Sequence, residues 1–421
     1  MNELKSKWKS AMTKAQAMIL VLVIVVAAIA GVSYYYATLP KAPAVSEVNV
    51  GLLVPLTGGY AYLGDIVSKG VQLAVDEINN GGGIKSLGGA KIKIITYDTG
   101  ASTADATNAY QRLLTLYSGK LSAVLCPWPS GYVIALSEIS EREKIPMLST
   151  AWADTITQRK FSYIFRFCPT SSDINNGAIP ALLDLGEKAT GSKITRIAFL
   201  YDDNPATIGL INTLRNMSVQ KGLKLSLDEM WSAPMKDATP LVTKLKASDA
   251  EIMVSYAINI QDVLLMVSKI HEMKVKMPLT FYGGGIMNPQ FSDVMGNLTE
   301  GILTISDWNI LKGQEKLEQA YLSRYGGKFI PKDAGMMYGV TWALKEAIEK
   351  AASTDPKAIR NALSELDLTS GPATVLYGRI KFKPNGDMAN AWPVICQWQR
   401  GKIETVWPFQ YATSTVAWPK A

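Results

Sequence analysis

The chain has 421 residues, of which 48% are hydrophobic and 19% charged, and its formal net charge is +7. Because a single hydrophobic core stops growing at about 250–300 residues, this length predicts a folded protein with two globular units. Four lysines and one glutamate within the first 14 residues account for +3 of the charge, and the +4 spread over the rest excludes a nucleic-acid-binding surface.

The N-terminal region has the features of a membrane anchor. No charged residue lies between Ala15 and Pro40, and residues 17–37 would span about 30 Å as a helix. These residues are predicted to form a transmembrane helix or signal anchor, and a buried core helix is the alternative. The positive-inside rule places the basic head, residues 1–16, in the cytoplasm and everything after Pro40 outside. Residues 38–46 (TLPKAPAVS) are predicted to form a semi-rigid linker.

Two glycosylation sequons, which begin at Asn216 and Asn297, agree with an external body. The expected location is therefore the cell membrane, with a single pass and the binding domain outside the cytoplasm. The sequence around Ala15 resembles the prepilin-type signals of some archaeal surface-binding proteins, which would place cleavage after Ala15. Whether the helix is cleaved stays open, because no small-x-small cleavage site stands out.

From residue 48 onward, strand-like and helix-like patterns alternate. Strands are predicted near 48–54, 91–97, 121–126 and 145–149, and helices near 64–79, 103–118 and 131–143. The first helix shows the spacing most clearly, since Val67, Val71, Ala74 and Ile78 recur every three or four residues. Such alternation favours right-handed βαβ units and a parallel sheet.

The same alternation begins again after Phe167 and predicts a second lobe. Helices near 173–189, 207–221, 238–247 and 259–273 interleave with strands near 195–200, 223–231, 251–256 and 278–282. Later helical stretches are predicted at 314–325 and 335–352. A β-type tail follows over 373–407, with a turn at 384–387.

The residues that enzymes commonly use are sparse in this chain. Cys126, Cys168 and Cys396 have no metal-ligand spacing, and a disulfide between Cys126 and Cys168 is one alternative for a protein outside the cell. His271 is the single histidine, so a histidine-dependent triad has no second candidate base. The sequence therefore predicts neither an enzyme nor a metal or cofactor site.

Five segments share a pattern with a known family. They are PLTGGYAYLGDIVSKGVQLAVDEINNGGGI, KIPMLSTAWADTITQ, FRFCPTSSDINNG, IAFLYDD and FKPNGDMANAWPVICQWQRGKIETVWP. In this order they resemble the type I periplasmic substrate-binding proteins, and within them the branched-chain amino acid receptors of ABC transporters. The resemblance extends over most of residues 47–408.

This resemblance implies an α/β fold of two doubly wound parallel-sheet lobes joined by three crossovers, with the ligand in the cleft between them. The crossovers are expected near 166–171, 299–308 and 368–373. Lobe 1 would comprise residues 47–167 plus 308–370, lobe 2 residues 168–307 plus 371–408, and residues 409–421 would form a C-terminal tail.

The family's ligand contacts imply two positions in lobe 1. A serine after the third strand and a short stretch after the fourth hold the ligand's carboxylate and ammonium in the amino-acid receptors. Ser130 in CPWPSGY matches that serine, and Ala151 in STAWAD matches the residue whose backbone carbonyl accepts from the ammonium. Both lie just beyond strand ends, where open α/β sheets bind ligands. The alternative role for Ser130 is to cap the following helix.

Three departures from the family pattern leave the ligand open. Ala153 stands where a threonine is usual, Ala206 lies near the position of a usual tyrosine, and the acid expected around 283–285 is absent. The loss of one hydrogen bond to a charged group would cost about 1.5–3 kcal/mol. The ligand is therefore expected to be an amino acid, a small amide or an aromatic carboxylate.

Further candidate ligand contacts are aromatic or acidic residues near strand ends. They are Tyr62, Trp128, Trp152, Asp202 and Tyr256. Large rings suit a flat or apolar ligand. For each candidate a purely structural role, such as packing or a turn, is the alternative.

The sequence thus predicts an extracytoplasmic receptor that captures a small solute between two closing lobes and delivers it to an ABC permease in the membrane. A ligand-sensing ectodomain, or a subunit of a surface assembly with the same fold and no transport role, is the alternative.

Overall fold

The computed structural model describes residues 14–38, 45–257, 259–282 and 285–418. The chain divides into two units, Met1–Val45 and Ser46–Ala421. The described part of the first unit contains helix α1, Lys14–Thr38. Within the described residues, no helix combines the length and apolar character needed to cross a membrane. The structure therefore does not support the span predicted for residues 17–37.

The first sheet of the second unit has five parallel strands in the order β2-β1-β3-β4-β5. Its strands are β1 (Glu47–Val54), β2 (Lys91–Asp98), β3 (Leu121–Leu125), β4 (Met147–Ser149) and β5 (Ile164–Arg166). The helices between them are α2 (Ala61–Asn80), α3 (Thr103–Leu116), α4 (Ser130–Glu143) and α5 (Thr155–Gln158). Helices on both faces explain why β3 and β4 are buried along their whole length.

The second sheet has seven strands in the order β14-β13-β10-β9-β8-β6-β7. The parallel part consists of β6 (Arg196–Asp202), β7 (Lys224–Trp231), β8 (Ile252–Tyr256), β9 (Leu279–Tyr282) and β10 (Leu303–Ser306). Its helices are α6 (Ser171–Thr190), α7 (Pro205–Gln220), α8 (Thr239–Ala247), α9 (Ile260–Glu272) and α10 (Pro289–Met295).

Three more helices and four short strands complete the body. The helices are α11 (Glu315–Tyr325), α12 (Lys332–Ala351) and α13 (Pro356–Ser364), and the strands are β11 (Asp367–Leu368), β12 (Ile380–Lys381), β13 (Val394–Gln399) and β14 (Lys402–Trp407). β13 pairs antiparallel with both β10 and β14, so the second sheet is not purely parallel. Arg400 and Gly401, both with positive φ, form a two-residue turn that can join only antiparallel strands.

Helix α12 returns from the second sheet to pack on α2. A Cβ at Gly70 of α2 would lie 2.1 Å from the carbonyl oxygen of Ala334, so only glycine allows this close approach. This packing brings the start of α12 to the edge of the first sheet. α12 lies within residues 308–370, which the resemblance assigns to lobe 1, and that assignment stays a prediction.

The chain crosses from one sheet to the other three times. The crossings lie between β5 and α6, between β10 and α12, and between β12 and β13. The third passage lies after Asp387 rather than near 368–373 as predicted. β11 pairs with β12, and the ring of Phe382 then packs against Phe165 and Phe167 of the first sheet, at centroid distances of 5.1 and 4.9 Å. Part of the segment expected in lobe 2 therefore packs on lobe 1.

All three cysteines are buried and free, so the bridge between Cys126 and Cys168 does not form. Burial raises the pKa of the Cys126 thiol to about 12. A thiol with this pKa stays protonated and unreactive at neutral pH.

Arg166, the last residue of β5, is fully buried and holds two distant segments together. Its guanidinium donates to the carbonyl oxygens of Ala151 (3.2 Å), Trp152 (2.6 Å) and Ala153 (2.9 Å) and to the hydroxyl of Thr157 (2.8 Å). Its Nε lies 2.9 Å from Oδ1 of Asp387. The loop after β4 and the segment around Asp387 therefore share one buried cation.

We expect Arg166→Met to lower the free energy of unfolding by about 3–5 kcal/mol, because it leaves Asp387 as an uncompensated buried charge. Urea unfolding measures the change. The matched control is Arg379→Met, which removes the exposed pair between Arg379 and Asp367 and should change stability far less. Equal losses in the two variants would contradict this role for Arg166.

Candidate ligand-binding cleft

A cavity of about 260 Å³ lies between the two lobes. Lobe 1 lines it with Leu63, Trp128, Ser130, Thr150, Ala151 and Trp152. Lobe 2 contributes residues that include Ile286, Met287, Asn288 and Ser306, and Lys332 and Asp333 of α12 complete the lining. Most of these residues follow the carboxyl ends of β3, β4 and β9, and Ser306 is the last residue of β10. Loops after parallel strands meet at one edge of a sheet, so the topology itself brings them together.

Ser130 is the first residue of α4 and lines the cavity. Its hydroxyl oxygen accepts a hydrogen bond from the N–H of Ala153 at 3.3 Å. A hydroxyl both accepts and donates, so its proton is available to a ligand. The capping position is occupied by Pro129, which makes no side-chain cap, and its carbonyl oxygen accepts from the N–H groups of Tyr132 and Val133 at 3.0 and 3.1 Å. The N–H groups of Ser130 and Gly131 precede this first bonded turn, so they are the donors that the beginning of α4 offers to an anionic group.

Ala151 lines the cavity, but its carbonyl is engaged within the fold. This oxygen accepts from Nη1 of Arg166 at 3.2 Å and lies 3.6 Å from Sγ of Cys168. Its N–H donates to the hydroxyl of Ser149 at 3.1 Å. A ligand ammonium at this carbonyl would have to compete with Arg166, so the contact implied by the family stays a prediction.

The side chain of Trp152 forms one wall of the cavity. Its indole N–H donates to Oδ2 of Asp307 at 2.7 Å. The ring meets Tyr282 of lobe 2 edge-on at 5.9 Å, and Nζ of Lys332 lies 5.3 Å from its centroid. Trp152 therefore contacts both lobes.

Lys332, Asp307 and Asp333 form a charged cluster beside this wall. Nζ of Lys332 lies 2.9 Å from Asp307 and 3.4 Å from Asp333. Burial by itself would lower the pKa of Lys332, but the two carboxylates outweigh it and raise that pKa above its usual value. Two carboxylates therefore face one ammonium, and the excess negative charge favours a cationic group in the cavity.

Asn288 is a buried amide at the lobe 2 side of the cavity. Among the described residues its side chain has no hydrogen-bond partner. Gly285, which adopts a positive φ of 72°, lies beside this amide. A Cβ at Gly285 would be 3.4 Å from Nδ2 of Asn288. Since buried polar groups are normally paired, this amide is suited to bind a ligand.

Of three further predicted contacts, Trp128 lines the cavity, Tyr62 lies near the lining residue Gly285, and Ala153 is not part of the lining. Trp128 lines the cavity and meets the ring of Tyr60 edge-on at 6.0 Å. The hydroxyl of Tyr62 lies 3.4 Å from the Cβ position at Gly285, and burial together with Asp333 raises its pKa. Ala153 does not line the cavity, and its carbonyl accepts from Arg166.

Asp202 and Tyr256 do not line the cavity. Oδ1 of Asp202 accepts from the N–H of Asn204 at 3.1 Å, as in a turn, and the ring of Tyr256 packs edge-on against Tyr282 at 5.2 Å. Burial and the charge of Asp202 raise the pKa of Tyr256 to about 12. The side chain of Ala206 and residues 283–284 lie outside the described part of the chain.

The most informative groups in the cavity were not predicted from the sequence. Asn288, Lys332 and Asp333 each lie at or beside the start of a helix. Pro289 and Pro331 mark those helix starts in the sequence, but a helix start alone does not indicate a ligand.

The chain is similar to known proteins over most of its length. A sequence profile described as periplasmic binding protein matches residues 47–402. The chain is 28% identical over 389 residues to the Leu/Ile/Val-binding protein homolog 8 of Brucella melitensis biotype 1, and the match covers 90% of this chain and 94% of that protein.

Solved structures share the fold at lower identity. The substrate-binding protein LivJ of Streptococcus pneumoniae, in complex with isoleucine, has a TM-score of 0.69 at 21% identity, covering 89% of this chain and 100% of that one. An ABC transporter substrate-binding protein from Desulfitobacterium hafniense, in complex with Leu, has a TM-score of 0.68 at 21% identity, covering 85% of this chain and 99% of that one. These similarities are to the fold alone.

Proposed function

Because the chain belongs to the periplasmic binding protein family, we propose that it captures an amino acid between its two lobes and delivers it to an ABC-type permease. The family consists of solute-binding proteins rather than enzymes, and its binding domain lies outside the cytoplasm. The observation that carries the proposal is the composition of the cavity lining, which combines hydroxyl and N–H donors at the start of α4 with excess carboxylate at the start of α12.

This distribution favours a zwitterion over the other predicted ligands. The α-carboxylate would bind the hydroxyl of Ser130 and the free N–H groups of α4, and the ammonium would face Asp333. The side chain of the amino acid would then pack among Leu63, Ile286 and Met287. An aromatic carboxylate has no ammonium to neutralise the excess charge, and an uncharged amide has neither group. The relatives named for Leu, Ile and Val support the same choice.

Ligand capture would couple to lobe closure. The proposed contacts come from both lobes, so the ligand binds the closed form better than the open form and shifts the equilibrium toward it. The closed form would be the state that the permease recognises. A sensing ectodomain would close in the same way, so only an uptake measurement in cells distinguishes the two roles.

The proposal is tested with a panel of amino acids and their analogues. At a free concentration 100 times its dissociation constant, a bound amino acid should stabilise the protein by about 2.7 kcal/mol, which a thermal-shift measurement detects. Leucine should bind, whereas 4-methylpentanoate, which lacks the ammonium, and 3-methylbutylamine, which lacks the carboxylate, should not. Stabilisation by the carboxylate analogue alone would overturn the zwitterion assignment.

Two substitutions test the residues proposed to bind the carboxylate and the ammonium of the ligand. Ser130→Ala removes a hydrogen bond to a charged group and should weaken amino-acid binding by about ten- to hundredfold. Asp333→Asn removes the excess charge and should weaken it by at least about tenfold. The controls are Ser268→Ala and Asp293→Asn, at exposed positions away from the cavity. Titration calorimetry measures all four variants, and unchanged affinity removes the residue concerned from the site.

We also propose that residues 17–37 tether the receptor to the membrane. The charge-free sequence, the basic head and the exposed apolar side chains from Met18 to Ile29 support this. Since Asn216 and Asn297 are both exposed, glycosylation at these positions is part of the same proposal.

A membrane wash tests the tether. The full chain should resist extraction by alkaline carbonate, and Val23→Asp with Val26→Asp should release it, because each aspartate at a helix centre costs about 2.5–3.5 kcal/mol in the bilayer. The control is Val219→Asp on the body, which is exposed in the structure and should have no effect. Extraction of the unchanged chain would contradict the tether.

A further inference from the structure

Trp152 makes directional contacts through both its indole and its backbone. Its N–H donates to Asp307, its ring lies between Tyr282 and Lys332, and its carbonyl oxygen accepts from Arg166 at 2.6 Å and from the N–H of Ser171 at 2.8 Å. Both the backbone and the ring of this residue are therefore fixed. Few rotamers of Trp152 satisfy all these contacts at once.

Asp307 is the residue on which the ring position depends. It is fully buried, and its carboxylate receives the indole N–H of Trp152 at 2.7 Å, Nζ of Lys332 at 2.9 Å and the hydroxyl of Ser306 at 3.3 Å. A buried ion pair contributes little to stability compared with well-packed apolar side chains. The pair instead fixes the orientation of the Asp307 carboxylate. This carboxylate then accepts the indole N–H of Trp152 from one direction only.

Three other residues of the lining, Leu63, Ile286 and Met287, have no comparable restraint. Their apolar side chains make no directional bonds, and methionine adapts its shape readily. The Trp152 indole is therefore the restrained part of the lining, and these three side chains are the adaptable part.

We propose that Asp307 and Lys332 are positioning residues that fix the Trp152 indole as the rigid wall of the cavity, and that this wall sets the size of the amino-acid side chain that is accepted. The inference rests on the proposed function, because it concerns the selectivity of the same cavity. A small aliphatic side chain fits in front of the indole, and a larger aromatic side chain requires the indole to move.

The test is the ratio of the dissociation constants of phenylalanine and leucine, measured by titration calorimetry on the full chain. Trp152→Phe keeps a ring but removes the N–H, and Asp307→Asn removes the ion pair. Each should lower the ratio by about tenfold, the scale of discrimination between ligands that differ by a methylene or more. In the Trp152→Phe background, Asp307→Asn should change the ratio no further, because the two residues act as one unit.

A second tryptophan–aspartate bond supplies the matched control. Trp231 donates from Nε1 to Asp262 at 3.0 Å within the core of lobe 2, away from the cavity. Trp231→Phe loses an equivalent buried bond and should leave the ratio unchanged, which separates positioning from a general loss of stability.

The outcomes also separate this inference from the proposed function. If leucine binds but Trp152→Phe and Asp307→Asn leave the ratio as in the unchanged chain, the inference is wrong and the receptor function stands. If no amino acid binds the unchanged chain, both fail. Should Asp307→Asn not fold, Trp152→Phe still decides the question, since it retains the pair between Asp307 and Lys332.

Discussion

The buried guanidinium of Arg166 is the constraint on which the cavity depends. Three consecutive carbonyls, from Ala151 to Ala153, point toward it, and Asp387 balances its charge from a segment more than 200 residues further along the chain. Without this cation all three carbonyl oxygens would lose a charged donor, and the carbonyl of Ala151 would keep only the weak contact with Sγ of Cys168 at 3.6 Å. Arg166 therefore stabilises this loop in the observed conformation.

The position of the loop after β4 determines which polar groups lobe 1 presents to the cavity. Because the carbonyls face Arg166, lobe 1 presents to the cavity the hydroxyl of Ser130 and the N–H groups of α4, which are donors. The acceptors come from α12, whose first turn carries Asp333. A zwitterion matches this arrangement in one orientation only. In the proposed complex, the orientation of the ligand would thus follow from how the loop satisfies its own backbone.

The sequence predicted the elements that are long and regular and missed those that are short. Strands such as β1 and β6 agree closely with their predicted limits, and Ser130 and Trp152 follow from strand ends. β10 has four residues, too few for a recognisable period, and it went unpredicted. β11 and β12 have two residues each, so the third passage between the sheets was placed too early. The hydrogen bond between Trp152 and Asp307 joins residues 155 apart, and no local pattern in the sequence indicates it.

Asp307 follows directly from β10, where the chain begins its second passage between the sheets. Ser171, whose N–H binds the carbonyl of Trp152, lies where the first passage ends. The loop that forms one wall of the cavity is thus bonded to two of the three segments about which the lobes would rotate. A rotation that opens the cavity must strain or rearrange these two bonds. In each of them Trp152 belongs to lobe 1, whereas its partner, Asp307 or Ser171, belongs to a segment that passes between the sheets. In the proposed receptor, ligand recognition and lobe movement would therefore involve the same few hydrogen bonds, so the position of the Trp152 ring would change together with the angle between the lobes.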